Sequence, residues 1–79
     1  MKNRLTYAER MLLVELARAD GFVRTGQLVY AVWQGLDEPD TSHNIIRVHI
    51  MSLRKKIGFC GLRIVSQPYS GYRLEVNYD

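Results

Sequence analysis

A chain of 79 residues with one cysteine and a net charge of +3 is expected to form one small domain, residues 1–79, and excludes an internal disulfide and a multi-cysteine metal site. At this length roughly 60–65% of the unfolded surface is buried on folding, so the core is thin and no deep catalytic pocket is expected. No apolar run approaches the ~20 residues of a membrane span, and the opening M-K-N-R-L-T-Y-A-E-R holds no apolar signal segment, so the expected location is cytoplasmic.

Thr6, Tyr7, Ala8 and Glu9 spell a capping box, in which the Thr6 hydroxyl accepts from the Glu9 amide and the Glu9 carboxylate reaches back. Leu5 is placed to staple onto the next turn. Ala8, Met11, Leu12 and Leu16, with Leu13 at the margin, recur at helical spacing and predict a first helix over residues 7–19. Asp20 and Gly21 stop it, with Gly21 suited to the left-handed position after a helix. Phe22 and Val23 read as a short extended step. Thr25 is the expected cap of a second helix over residues 26–34, whose apolar face is Leu28, Val29, Val32 and Trp33. Residues 34–40 contain Gly35, Pro39 and three acids without periodicity, and read as a loop.

Thr41 or Ser42 caps a third helix. Its Ile46, Ile50, Leu53 and Ile57 stand at i, i+4, i+7 and i+11 and fall within about 60° of one another, a narrow core stripe. Gly58 and Gly61 end that helix. Leu62, Ile64 and Val65 form a strand, residues 67–71 turn, and Tyr72, Leu74 and Val76 alternate with Arg73 and Glu75. Helix, short strand, helix, loop, helix, hairpin is the order of an α+β winged helix-turn-helix, three helices plus a C-terminal β-hairpin wing.

The charge is unevenly spread. Residues 1–40 carry five basic and six acidic side chains, whereas residues 41–74 carry Arg47, Arg54, Lys55, Lys56, Arg63 and Arg73 and no acid. Such an excess attracts polyanions, nucleic acid first and anionic membrane second, unless it is merely a solvated basic face. The run Asp37-Glu38-Pro39-Asp40 is either a solvated loop or an acidic patch for a protein partner. There is no Gly-rich phosphate loop and no nucleophile–base arrangement, so no catalytic residue is expected. His43 and His49, six residues apart, do not share a helix face as an i, i+4 metal pair would. Cys60 reads as a bystander thiol.

From Leu5 to Arg73 the sequence resembles the DNA-binding effector domain of OmpR/PhoB-type response regulators. The match rests on L-T-x-x-E at Leu5, Thr6 and Glu9, V-W at Val32 and Trp33, V-H-I-x-x-L-R-K-K-I over residues 48–57, and G-Y-R at Gly71, Tyr72 and Arg73. The resemblance implies a bacterial transcription regulator whose third helix enters the major groove while the wing reaches the flanking minor groove. It also implies contact with RNA polymerase through the loop of residues 34–40. Three features depart from the family. Neither the sheet that usually precedes the first helix nor a phosphorylated receiver domain lies within these residues, which leaves control to protein amount, dimerisation or a partner. The wing tip reads Gln67-Pro68-Tyr69-Ser70, and Met51-Ser52 precede Leu53, where basic residues are frequent in the family.

Given the resemblance, the expected base readers are Asn44, Val48, Ser52 and Met51. An asparagine can pair bidentately with an adenine edge, and an aliphatic methyl can pack on a thymine methyl. The expected phosphate contacts are Arg47, Arg54, Lys55, Lys56, Trp33, His49, Tyr72 and Arg73. Trp33 and Tyr72 combine core packing with a polar edge, and His49 is as readily a structural hydrogen-bonded histidine. Arg63 reads as a solvated strand residue. The expected function is sequence-specific double-stranded DNA binding as a small transcription regulator, in the bacterial cytoplasm on the nucleoid or phage-encoded in a bacterial host. No cofactor, metal or membrane partner is expected, and a homodimer on DNA is. The alternative is a winged-helix protein-interaction module, a partner of RNA polymerase or another regulator that has lost sequence readout.

Overall fold

The computed structural model describes residues 4–76; Lys2 and Asp79 of the charge count lie outside them. Helix α1 (Tyr7–Arg18) opens on the reciprocal capping box: the Glu9 amide donates to the Thr6 hydroxyl at 3.2 Å and the Thr6 amide to the Glu9 carboxylate at 2.8 Å. Its end differs from the expectation. Ala19 leaves the helix in extended conformation, and Gly21 has no positive φ. The chain needs no left-handed reversal there because it runs straight into the extended step at Phe22 and Val23. Val23 and Tyr72 exchange backbone hydrogen bonds of 2.7 and 2.9 Å, an isolated antiparallel bridge.

Helix α2 (Thr25–Trp33) starts one residue before the expected position. Arg24 occupies the N-cap and supplies no side-chain cap; Thr25 is the first helical residue, so the capping role expected of it is corrected. The extended backbone of Arg24, continued from Val23, sets this boundary. The helix ends at Gln34 in the left-handed region, whose amide donates to the Tyr30 carbonyl.

Helix α3 (Ser42–Ile57) follows Thr41, which makes no side-chain cap; instead the buried Ser42 hydroxyl donates to Glu38 at 3.1 Å, tying the acidic loop to the helix start. A 3-10 turn (Gly58–Cys60) and a left-handed Gly61 lead into the hairpin. Strands β1 (Leu62–Gln67) and β2 (Gly71–Val76) pair antiparallel in register from Leu62 with Val76 to Gln67 with Gly71.

The core is where the three helices meet the inner side of the hairpin. Leu12 and Leu16 of α1, Val23 of the extended step, Leu28 and Val29 of α2, Ile46, Ile50, Leu53 and Ile57 of α3, and Ile64 of β1 are buried. Fully burying one such side chain contributes about 1.5–3 kcal/mol, so the four-residue stripe of α3 is its main attachment to the domain. The same stripe decides which face of α3 is left outside. The expected α+β winged helix, three helices and a two-stranded wing, is the fold observed. Among the described residues no helix is long and apolar enough to cross a membrane.

Candidate nucleic-acid interface

With Ile46, Ile50, Leu53 and Ile57 turned inward, the opposite side of α3 presents Asn44, Arg47, Val48, Met51 and Lys55. All five are exposed. At about 100° per residue they occupy an arc of about 100° whose middle lies about 140° around the helix from the core stripe. The middle of this stripe is apolar: Val48 is 63% and Met51 59% exposed. An amide stands at its N-terminal end and cations stand beside and beyond the apolar pair. Among the described residues, Arg47 and Lys55 have no acidic partner.

Ser52 and Lys56 lie on a different flank, the one turned toward α1, and both are held by Glu9. The Ser52 hydroxyl donates to one carboxylate oxygen at 2.5 Å, and the Lys56 ammonium donates to the other at 2.8 Å and to the Arg4 carbonyl at 3.1 Å. Glu9 is only 1% exposed, so its charge is stable there only because it is paired and hydrogen-bonded. Burial by itself raises the carboxyl pKa. Hydrogen bonds from Lys56, Ser52 and the Thr6 amide, with the Lys56 charge, outweigh that and lower it from 4.5 to about 2. Ser52, expected among the base readers, directs its hydroxyl toward α1 in the domain. Lys56, expected on the phosphates, has its ammonium paired with Glu9 in the domain. His49 sits half-buried on this flank as well, off the outer stripe.

Arg54 is half-buried at the opposite edge of α3, and its Nε donates to the Ile64 carbonyl at 3.1 Å. This bond ties the C-terminal part of α3 to β1 and so fixes the wing against the helix. Arg73 also differs from expectation. Its guanidinium pairs with Glu75 and lies over the Phe22 ring, 4.8 Å from the centroid. Arg63 joins the same Glu75 carboxylate at 2.9 Å. Hydrogen bonds from Arg73 and then Arg63 hold the Glu75 carboxyl below the usual range. Half of the six cations in the acid-free segment are thus met by acids from outside it, Glu9 on one side and Glu75 on the other.

Trp33 and Tyr72 are half-buried and packed against the core. Tyr72 borders an open groove of about 550 Å³ between the start of α2, the start of α3 and the wing, lined also by Arg24, Thr25, His43, Gln67 and Tyr69. Arg24 and His43 are exposed and were missed in the sequence. Arg24 belongs to the charge-balanced N-terminal half, so composition hid it. The signal was its place directly before the second helix, where free N-terminal amides and a cation favour an anion. Arg47 and Lys55 are exposed on α3, Arg54 is half-buried at its edge, and Arg24 is exposed at the groove.

A family model described as transcriptional regulatory protein, C terminal, matches residues 2–74. No curated protein matches the chain.

Proposed function

The chain belongs to the transcriptional regulatory protein C-terminal family, OmpR/PhoB-type DNA-binding domains, and from that premise we propose that it recognises a specific duplex site with α3 in the major groove. The observation that carries this reading is the outer stripe of α3, five exposed side chains away from the core stripe that make no side-chain hydrogen bond or ion pair among the described residues. Asn44 reads an adenine edge, and Val48 and Met51 pack on thymine methyl groups. Arg47, Lys55, Arg54 and Arg24 take phosphates, which set the register and supply the salt-dependent part of affinity. Trp33 and Tyr72 hold the elements that flank the backbone and offer their polar edges to it. Ser52 and Lys56 act indirectly, by locking α3 to α1 through Glu9. The domain is a regulator without catalytic chemistry, working on DNA in the bacterial cytoplasm. Tight binding uses two copies on adjacent half-sites, roughly one helical turn apart. The loop of residues 34–40, pinned by the Glu38–Ser42 bond, is the surface offered to RNA polymerase.

The exposed Val48 and Met51 favour one second reading, in which the same stripe docks a protein. Binding of the 79-residue chain to random duplex and to duplexes enriched from a random library, at several salt concentrations, separates the two. DNA recognition gives enrichment of one sequence and a slope of log affinity against log salt near −4, from about four neutralised phosphates. A flat salt response with no enriched sequence overturns it.

A further inference from the structure

On α1, Met11, Val14, Glu15 and Arg18 stand at i, i+3, i+4 and i+7 and form a stripe of their own. It lies about 140° around the helix from Glu9, Leu12 and Leu16, the residues buried against α3 and the core. Beside it α2 presents Tyr30, Ala31 and Gln34, and the two helices border an open groove of about 340 Å³. Val14 is 41% and Tyr30 64% exposed there. Clustered exposed apolar side chains with a polar rim mark a surface that another molecule covers. The charged members are an acid and a base one turn apart. Gln27 of α2 holds the Glu15 carboxylate in place, its side-chain amide donating at 2.8 Å. Arg18 is exposed, pairs neither with Glu15 nor with any other acid among the described residues, and lines the same groove.

We propose that this α1–α2 face is a self-association surface: two copies of the chain pack about a two-fold axis, α1 antiparallel to its counterpart, with Glu15 of each copy paired to Arg18 of the other. The charges select this occupant. In a two-fold contact residue i of one copy meets residue j of the second, and j meets i. An acid and a base about 4.5 Å apart along antiparallel helices are complementary to themselves, so both charges are met at once. A surface of one sign, such as anionic lipid or an acidic protein, would attract Arg18 and be repelled by Glu15. Exposed ion pairs add little affinity and set the register instead. Covering Val14 and Tyr30, with Met11 and Ala31, supplies the association. This contact differs from that of two copies on adjacent half-sites. It uses the side of α1 turned away from α3, needs no DNA and leaves both reading faces open, so it stands independently of the DNA-binding reading.

The test is analytical sedimentation of the 79-residue chain without DNA, from micromolar to millimolar concentration. Wild type is compared with Glu15→Arg, with Arg18→Glu, with the double variant Glu15→Arg/Arg18→Glu, and with an equal mixture of the two single variants. Wild type shows a concentration-dependent equilibrium between monomer and dimer. Each single exchange sets like charges against each other twice per dimer and weakens association about tenfold. The double variant restores both pairs. So does the mixture, in which one copy carries two arginines and the other two glutamates, and both return to within about threefold of wild type. Both positions are on the surface, so the variants melt close to wild type. Arg18, which makes no side-chain bond among the described residues, gives the cleanest single variant. Wild type that stays monomeric throughout overturns the inference and leaves the groove to a different protein. Single variants that dimerise like wild type, or losses that neither the double variant nor the mixture restores, put the contact elsewhere and also overturn it.

Discussion

Two flanks of α3 carry similar polar side chains and meet different fates. On the outer stripe Asn44, Arg47 and Lys55 surround exposed Val48 and Met51, and among the described residues none of them makes a side-chain hydrogen bond or ion pair. About a quarter-turn away, Ser52 and Lys56 converge on the buried Glu9 carboxylate. The difference shows that a cation or hydroxyl on a helix surface is available to a partner only if no acid elsewhere in the chain has claimed it. Here the claimant is contributed by α1, and it also closes the capping box of that helix. One carboxylate thus fixes the start of α1 and the rotation of α3 together.

Removing that carboxylate is the strongest way to break the comparison. Glu9→Ala leaves Lys56 and Ser52 without their partner and opens the capping box. We expect a loss of about 3 kcal/mol and a thermal midpoint lower by more than 10 °C, of the order given by about 4–8 °C per kcal/mol at this size. Calorimetry or circular dichroism melts measure it, and a loss below about 1 kcal/mol would mean the cluster is not holding α3.

Acid probes the same contact without mutation. The Glu9 pKa falls from 4.5 to about 2 in the folded domain. A depressed carboxylate pKa contributes stability that is fully present above the unfolded value and is lost as pH drops through the folded one. The stability of the wild type should therefore fall between pH 4.5 and 2 by an amount on the order of 2–3 kcal/mol. Glu9→Gln should flatten that part of the profile, and an equally steep profile in the variant would assign the acid sensitivity to other groups.

The outer stripe should answer differently. Asn44→Ala should change stability by no more than about 0.5 kcal/mol while costing about 1–3 kcal/mol on the preferred duplex and little on random DNA. Equal losses on both duplexes would remove Asn44 from base reading.

The smallest effect separates two neighbouring lysines. Lys55→Ala should lower the salt slope by about one, whereas Lys56→Ala, already paired inside the domain, should leave it almost unchanged and lower stability instead. Salt titrations of the two variants check this, and equal slope changes would place Lys56 on the phosphates too.

Much of the architecture was legible because it rests on spacing and local chemistry. The 4-3-4 spacing of Ile46, Ile50, Leu53 and Ile57 fixed the buried face of α3, and Thr6 with Glu9 marked the start of α1. The outer face followed by subtraction, and Asn44, Val48, Met51 and Lys55, expected outside the core stripe, are exposed. What escaped depends on partners distant in sequence. Ser52 and Glu9 are 43 positions apart, and helical spacing alone leaves a serine at the margin of the exposed arc free to face either way. Arg73 was read from its place on the wing, but its direction is set by Glu75 and Phe22. Thr25 had the right chemistry for a cap and the wrong position, because the extended step at Val23 carries through Arg24.

The contrast between the two flanks is tested most directly by a paired measurement on Asn44→Ala and Ser52→Ala, each assayed for affinity to the enriched duplex, affinity to random duplex, and thermal midpoint. Asn44→Ala should lose roughly 5- to 150-fold on the enriched duplex, keep its affinity for random DNA, and melt like wild type. Ser52→Ala should melt lower, having lost its hydrogen bond to a buried carboxylate, while its preference for the enriched sequence persists. A Ser52→Ala protein that melts like wild type and loses discrimination between the two duplexes, beside an Asn44→Ala protein that keeps it, would contradict the division of α3 into a reading face and an anchoring flank.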